Sequence, residues 1–258
     1  TSKMKFAIAS ALFLCLMRGI ATTNYCDPKL CAEGEEHIGC DNDGSFLEKC
    51  SDDARLLEID EDAQDAFVAG HNAVRQQWAS GNGKIPEQAC RMATVHWDDE
   101  LASLAELNVK QCQMKHDDCH STSEYPNSGQ NLYFTGHKGG SPPDLHTVID
   151  KALESWASEG DFVNKGFLAA YPDNYEGPTI AHFTMVAQEL NVAVGCAVSN
   201  YVNDDGFNVF LVACNYATTN FITLPVYRAC ASSAEECATG TNPDYPALCS
   251  SKEDVQYH

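Results

Sequence analysis

Thirteen cysteines constrain this chain more than any other feature of its sequence. That many thiols are unusual in a reduced cytosolic protein and common in one that folds in an oxidising compartment. The N-terminus agrees. Met4 and Lys5 lead into the apolar run Phe6 to Met17, and small residues follow at Gly19 and Ala21. The run is too short for a bilayer, which takes about 20 helical residues. It reads as a secretory signal peptide over residues 1–21, with residues 1–3 upstream of the initiator Met and cleavage after Ala21. Cleavage removes Cys15 and leaves twelve cysteines, an even number that admits six disulfides. The thiols by themselves do not pair, because twelve allow on the order of ten thousand arrangements.

The leader also carries away Lys3, Lys5 and Arg18 and no acid. Basic residues drop from 16 to 13 against 37 acids, so the net charge moves from −21 to −24. Such a surface repels phosphate and anionic lipid and argues against nucleic acid as a partner. No other stretch is long and apolar enough to span a membrane. The mature chain is therefore expected to be secreted, extracellular and monomeric. It carries no Asn-x-Ser/Thr site for an N-glycan. At 258 residues with 44% apolar content, one main domain with small appendages is expected.

The cysteines mark the divisions. Residues 22–58 hold Cys26, Cys31, Cys40 and Cys50 among Asp, Gly and Pro, with little apolar periodicity. Residues 226–258 form a tail with Cys230, Cys237 and Cys249. Between them, residues 59–225 carry ordinary globular patterning. Ala63, Phe67, Val74 and Trp78 fall near helical spacing behind Asp60, Glu61 and Asp62, and Gly81 and Gly83 stop the run. Asp98 or Asp99 can cap a second helix with Leu101, Leu104, Ala105 and Val109 on one stripe. Pro142 and Pro143 precede a third, with Leu145, Val148, Ile149, Ala152, Leu153 and Trp156. Val192 to Val198 and Phe207 to Ala213 read as a hairpin, with Cys196 and Cys214 one in each strand. Helices and a small sheet on one core predict an α+β fold, a three-layer α/β/α sandwich.

Candidate chemistry centres on histidine. His71 lies in HNAVR, His116 and His120 bracket Cys119, and His182 begins HFTMV. Glu159 follows Trp156 by about one helical turn. There is no HExxH and no CxxC pair, so no zinc signature stands out. Oxidised cysteines cannot serve as thiolate ligands. No GxSxG elbow or Gly-rich phosphate loop is present, so no motif selects a nucleophile.

Six segments occur in an order that resembles the CAP superfamily of cysteine-rich secretory, antigen 5 and pathogenesis-related 1 proteins. They are HNAVR, VHWDDELASLAELNVKQCQMKHDDC, SGQNLYF, HFTMV, VGC and LVACNYATTNF. With the N-terminal NYCDPKLC, the chain is most similar to insect antigen 5, fly members above all, from about Tyr25 to Arg228. The resemblance implies the CAP sandwich for residues 59–225. It implies disulfides Cys26–Cys40, Cys31–Cys119, Cys50–Cys112 and Cys196–Cys214. Cys90 is then expected to pair into the tail, and two tail cysteines with each other. The resemblance also implies a central cleft in which His116 and His182 face each other, with Glu159 after Trp156. The second cleft acid of the family falls at Gln130, which is neutral, so the set is incomplete.

Two imidazoles and one carboxylate would still take Zn or Cu at His116 and His182, weakly and with a pH dependence near ~6.5. No cofactor is required by the sequence. The resemblance implies an exported binding protein of saliva or haemolymph, a potential allergen, holding a small lipophile or mediator. Its alternatives are a Cu/Zn redox (superoxide-dismutating) or hydrolytic enzyme on the same histidines, and a module that engages an extracellular host protein or receptor.

Overall fold

The computed structural model describes residues 23–255, so the leader assigned to residues 1–21 lies outside the described residues. Three aspartates start the three long helices. Asp60 accepts from the Ala63 N–H and opens α1, Glu61–Ala79. Asp98 accepts from the Leu101 N–H and opens α2, Asp99–Val109. Asp144, just past the two prolines, accepts from the Thr147 N–H and opens α3, Leu145–Ser158. Each cap satisfies a donor that the first helical turn leaves free. A single 3-10 turn, Glu159–Phe162, follows α3, and two short helices complete the set, α4 Lys165–Ala169 and α5 Ala181–Ala187.

The strands are β1 Arg55–Leu56, β2 Gln88–Ala89, β3 His96–Trp97, β4 Gly129–His137, β5 Ala193–Val202, β6 Asn208–Tyr216 and β7 Ala229–Cys230. The main sheet runs β1-β5-β6-β4, with β3 added parallel to β5. β5 and β6 form the antiparallel hairpin that the alternation predicts, in a register that sets Cys196 opposite Cys214. β4 had no assignment from sequence. It pairs along its whole length with β6, from Gly129 opposite Tyr216 to His137 opposite Asn208.

Both faces of the hairpin are covered, so its strands are buried almost end to end. Val194, Cys196, Val198, Val212, Cys214 and Tyr216 face Phe67 of α1 and Val148, Ile149, Ala152 and Trp156 of α3. The alternate residues Ala197, Tyr201, Val209, Leu211 and Ala213 face Ala105 and Val109 of α2. This is the three-layer α/β/α sandwich. A further cluster joins Trp78, Met92, Leu168, Phe183, Tyr227 and Leu248, so the C-terminal tail is part of the core.

Six disulfides fasten the layers to the appendages. Cys26–Cys40 closes a loop inside the N-terminal segment. Cys31–Cys119 and Cys50–Cys112 tie that segment to the loop after α2. Cys90–Cys230 lies beside the small β2–β7 ladder, and Cys237–Cys249 closes the tail on itself. Cys196–Cys214 crosses the hairpin.

Candidate functional site

The site is assembled around the first two residues of β4 after Gly129. Consecutive strand residues point to opposite faces. Gln130, opposite Asn215, reaches the loop after α2, and Asn131, opposite Cys214, reaches α5. The amide of Asn131 donates to the backbone carbonyl of His182 at 3.0 Å and to the Tyr216 hydroxyl at 3.1 Å. The amide of Gln130 meets the ring of His116 at 2.9 Å. One strand therefore positions both predicted histidines, each through its own amide.

The placement of α5 has a second support. Arg75 on α1 is fully buried, and its guanidinium donates to the carbonyls of Ala93, Val186, Gln188 and Asn191 at 2.7–3.0 Å. The carbonyls at the end of α5 are thereby paired with a cation, where the helix dipole is negative. Burial pushes the Arg75 pKa down to about 9, so it remains a cation at neutral pH.

Glu159 turns inward at the end of α3. One oxygen accepts from His182 Nδ1 at 2.6 Å, and the other accepts from the backbone N–H groups of His182 and Phe183 at 2.9 and 3.1 Å. Because Glu159 only accepts there, Nδ1 of His182 carries the proton. In the neutral ring that leaves Nε2 with the lone pair. Trp156 lies nearly parallel to the His182 ring at 6.5 Å. A comparable deduction holds for His116. Gln130 Nε2 donates to Asp117 Oδ2 at 2.8 Å and to Asn215 Oδ1 at 2.9 Å, so Gln130 Oε1 is the atom that faces His116. His116 Nδ1 then donates, and its Nε2 is free to accept.

The four predicted cleft residues thus form two pairs, His182 with Glu159 and His116 with Gln130. Among the described residues, the groups with three donor atoms within 4.8 Å are Cys26, Cys40 and Asp41, and Cys90, Cys230 and Glu236. Their sulfurs are in disulfides and are no ligands. His116, His182 and Glu159 make no such group: Glu159 lies 2.6 Å from His182 Nδ1, and His116 is the member whose ring nitrogens do not come within 4.8 Å of both others. The residues that would hold Zn or Cu are His116 and His182 through Nε2. Glu159 and Gln130 stand behind them in the manner of outer partners that orient a ligating imidazole. Such a metal would supply Lewis-acid or redox chemistry.

The other histidines have different places. His71 is buried between Phe67 and Tyr216 and serves the core. His120 is buried with its Nδ1 3.9 Å from Asp117 Oδ2, beyond hydrogen-bond range. The sequence reading missed Asn131, Asn215, Tyr216 and Asp117. Asp117 was in view inside the quoted motif, directly after His116, but nothing in the sequence distinguishes it from Asp118.

This architecture, a disulfide-fastened α/β/α sandwich with paired polar groups at the end of an edge strand, is that of a cysteine-rich domain of the kind that folds in an oxidising compartment. The chain belongs to the CAP, or cysteine-rich secretory protein, family, whose pattern it matches over residues 68–216. It is 34% identical to "Venom allergen-1" of Aedes aegypti over 98% of this chain and 95% of that one. It is 35% identical to "Antigen 5 like allergen Cul n 1" of Culicoides nubeculosus over 76% and 91%. Its fold matches the zinc-bound crystal structure of NaASP2 with a TM-score of 0.61 at 23% identity, over 78% of this chain and all of that one. Among the described residues no helix is long and apolar enough to cross a membrane.

Proposed function

We propose that this chain is an exported antigen 5-like protein that works by holding a small lipophile or mediator, not by catalysis. Likeness to relatives named as venom and antigen 5 allergens extends the reading to a potential allergen of an insect fluid such as saliva or haemolymph. The observation that carries it is how the cleft spends its polar groups. Glu159 and Gln130 are paired with the two imidazoles, and no Ser, Thr or Cys nucleophile is hydrogen-bonded to either ring among the described residues. A Ser or Thr nucleophile is commonly activated by a base in such contact. A cavity of about 240 Å³ between α4 and residues 225–229 supports an apolar guest. Leu168, Ala169, Pro225, Tyr227 and Ala229 line it together with the charged Glu87, Lys165 and Arg228.

Native mass spectrometry and solvent extraction of protein purified from its source test the proposal. A stoichiometric small molecule that leaves on denaturation is the expected result. A clean apo mass, with no uptake of added fatty acids, eicosanoids or sterols, contradicts it. The second reading, a Cu or Zn protein with redox or hydrolytic activity, draws on the two outward Nε2 atoms alone.

A further inference from the structure

We infer that Asp117 is a positioning residue for His116, acting through the neutral amide of Gln130. Asp117 is nearly fully buried, with 1% of its side chain exposed. Oδ1 accepts from the side-chain amides of Asn108, in the last turn of α2, and Gln111, just past its end, at 2.8 and 2.9 Å. Oδ2 accepts from Gln130 Nε2 at 2.8 Å. A carboxylate can accept from all three, whereas an amide cannot. Asn215 Oδ1 accepts from the same Gln130 Nε2 at 2.9 Å, while the Asn215 amide donates to the Leu101 carbonyl at 3.2 Å, so the carboxylate and Asn215 together fix which end of Gln130 faces His116. That end, Oε1, fixes the proton on His116 Nδ1 and turns the lone pair of Nε2 outward. The relay runs Asp117 to Gln130 to His116, and every link is a hydrogen bond of normal length. His120, at 3.9 Å from the same Oδ2, does not compete for it.

The consequence of Asp117→Asn follows from this pattern. Two amide donors hold the Oδ1 position, so the new amide sets its oxygen there and its NH2 toward Gln130. Two NH2 groups then meet. Gln130 relieves the conflict by turning over, which gives up its one contact with Asn215 Oδ1, where turning residue 117 would give up both the Asn108 and the Gln111 contacts. Its NH2 then meets His116 and drives the His116 proton from Nδ1 to Nε2. The double variant Asp117→Asn, Gln130→Glu restores an acceptor on both sides of position 130. It moves the acid from 117 into the strand and returns the proton to Nδ1.

The inference rests on the cleft reading only in treating His116 as a ligand-facing residue, because the tautomer is measured on the free protein. Long-range 1H–15N spectra of the imidazoles at pH 8 report which nitrogen is protonated. The expected result is Nδ1–H for His116 in the parent, Nε2–H in Asp117→Asn, and Nδ1–H again in the double variant. Zn2+ uptake at His116 should weaken roughly 10- to 100-fold in the single variant and recover in the double. A folded Asp117→Asn protein that keeps Nδ1–H overturns the inference, as does a parent in the Nε2–H form. If the single variant does not fold, the double variant decides, and Nε2–H there overturns it. Tautomers that switch as expected while no form takes up Zn2+ uphold the relay and count against the metal reading of the cleft.

Discussion

His71 is held in the core as a neutral ring. Its Nδ1 donates to the Phe67 carbonyl at 2.7 Å, and its Nε2 accepts from the Tyr216 hydroxyl at 2.8 Å. Burial pushes its pKa down to about 4, and burial likewise lowers those of His37 and His120. In the unfolded chain each would titrate near ~6.5. Between those values the unfolded state binds more protons than the folded one, so stability falls as pH drops below about 6.5. Carboxylates with lowered pKa values, such as Glu253 at about 2, add their own loss only under more acidic conditions, below about 4.5. Urea midpoints should fall from pH 7 to pH 5 by an amount worth on the order of a few kcal/mol. His71→Phe, although less stable overall for losing the Tyr216 contact, should reduce that slope. A flat profile between pH 7 and 5 contradicts the assignment. None of this was legible in HNAVR, where a packed histidine and a ligand look alike. Partner and burial separate them, and both come from Tyr216, 145 residues away.

Among the elements, the helices were the most legible because their caps and apolar stripes are local. Asp98, offered as a cap from sequence, sits one residue before its helix, as Asp60 and Asp144 do before theirs, and the stripes named from spacing are buried apart from Val74 and Leu145, which are half-buried. β4 was hidden for a physical reason. Its first four residues, Gly129 to Leu132, are buried on both faces and include Gln130 and Asn131, so neither alternation nor an apolar run marks them. The glycine of VGC shows how closely the layers approach. A Cβ on Gly195 would stand 2.1 Å from the Ala102 backbone nitrogen and 2.4 Å from the Asp98 carbonyl oxygen, against the backbone of α2. Backbone cannot turn aside as a side chain does. Gly195→Ala should therefore destabilise the fold by about 2–3 kcal/mol or more, with α2 displaced. Thermal melting checks this, and a change within about 0.5 kcal/mol would mean the layers are looser than described.

At the scale of the whole molecule, the disulfides do for the site what helices do elsewhere. His116 lies on an irregular loop between Cys112 and Cys119, and each of these is bridged back to the N-terminal segment. That segment packs in turn through the Tyr25–His37 ring stack and the His37 contact with the Ser121 carbonyl. On the other face, Arg75 and Asn131 hold α5 and with it His182. Each histidine is thus fixed by contacts far apart in sequence, which is why the motifs name the residues but not their partners. The proposed cleft requires these two imidazoles to act as one ligand-holding site. Titrating the 15N-labelled protein with Zn2+, used as a probe for bare imidazole nitrogen, tests it most directly. The Nε2 signals of His116 and His182 should shift together on a single saturation curve, while those of His37, His71 and His120 stay in place. Separate curves for His116 and His182, or no response from either, would contradict it.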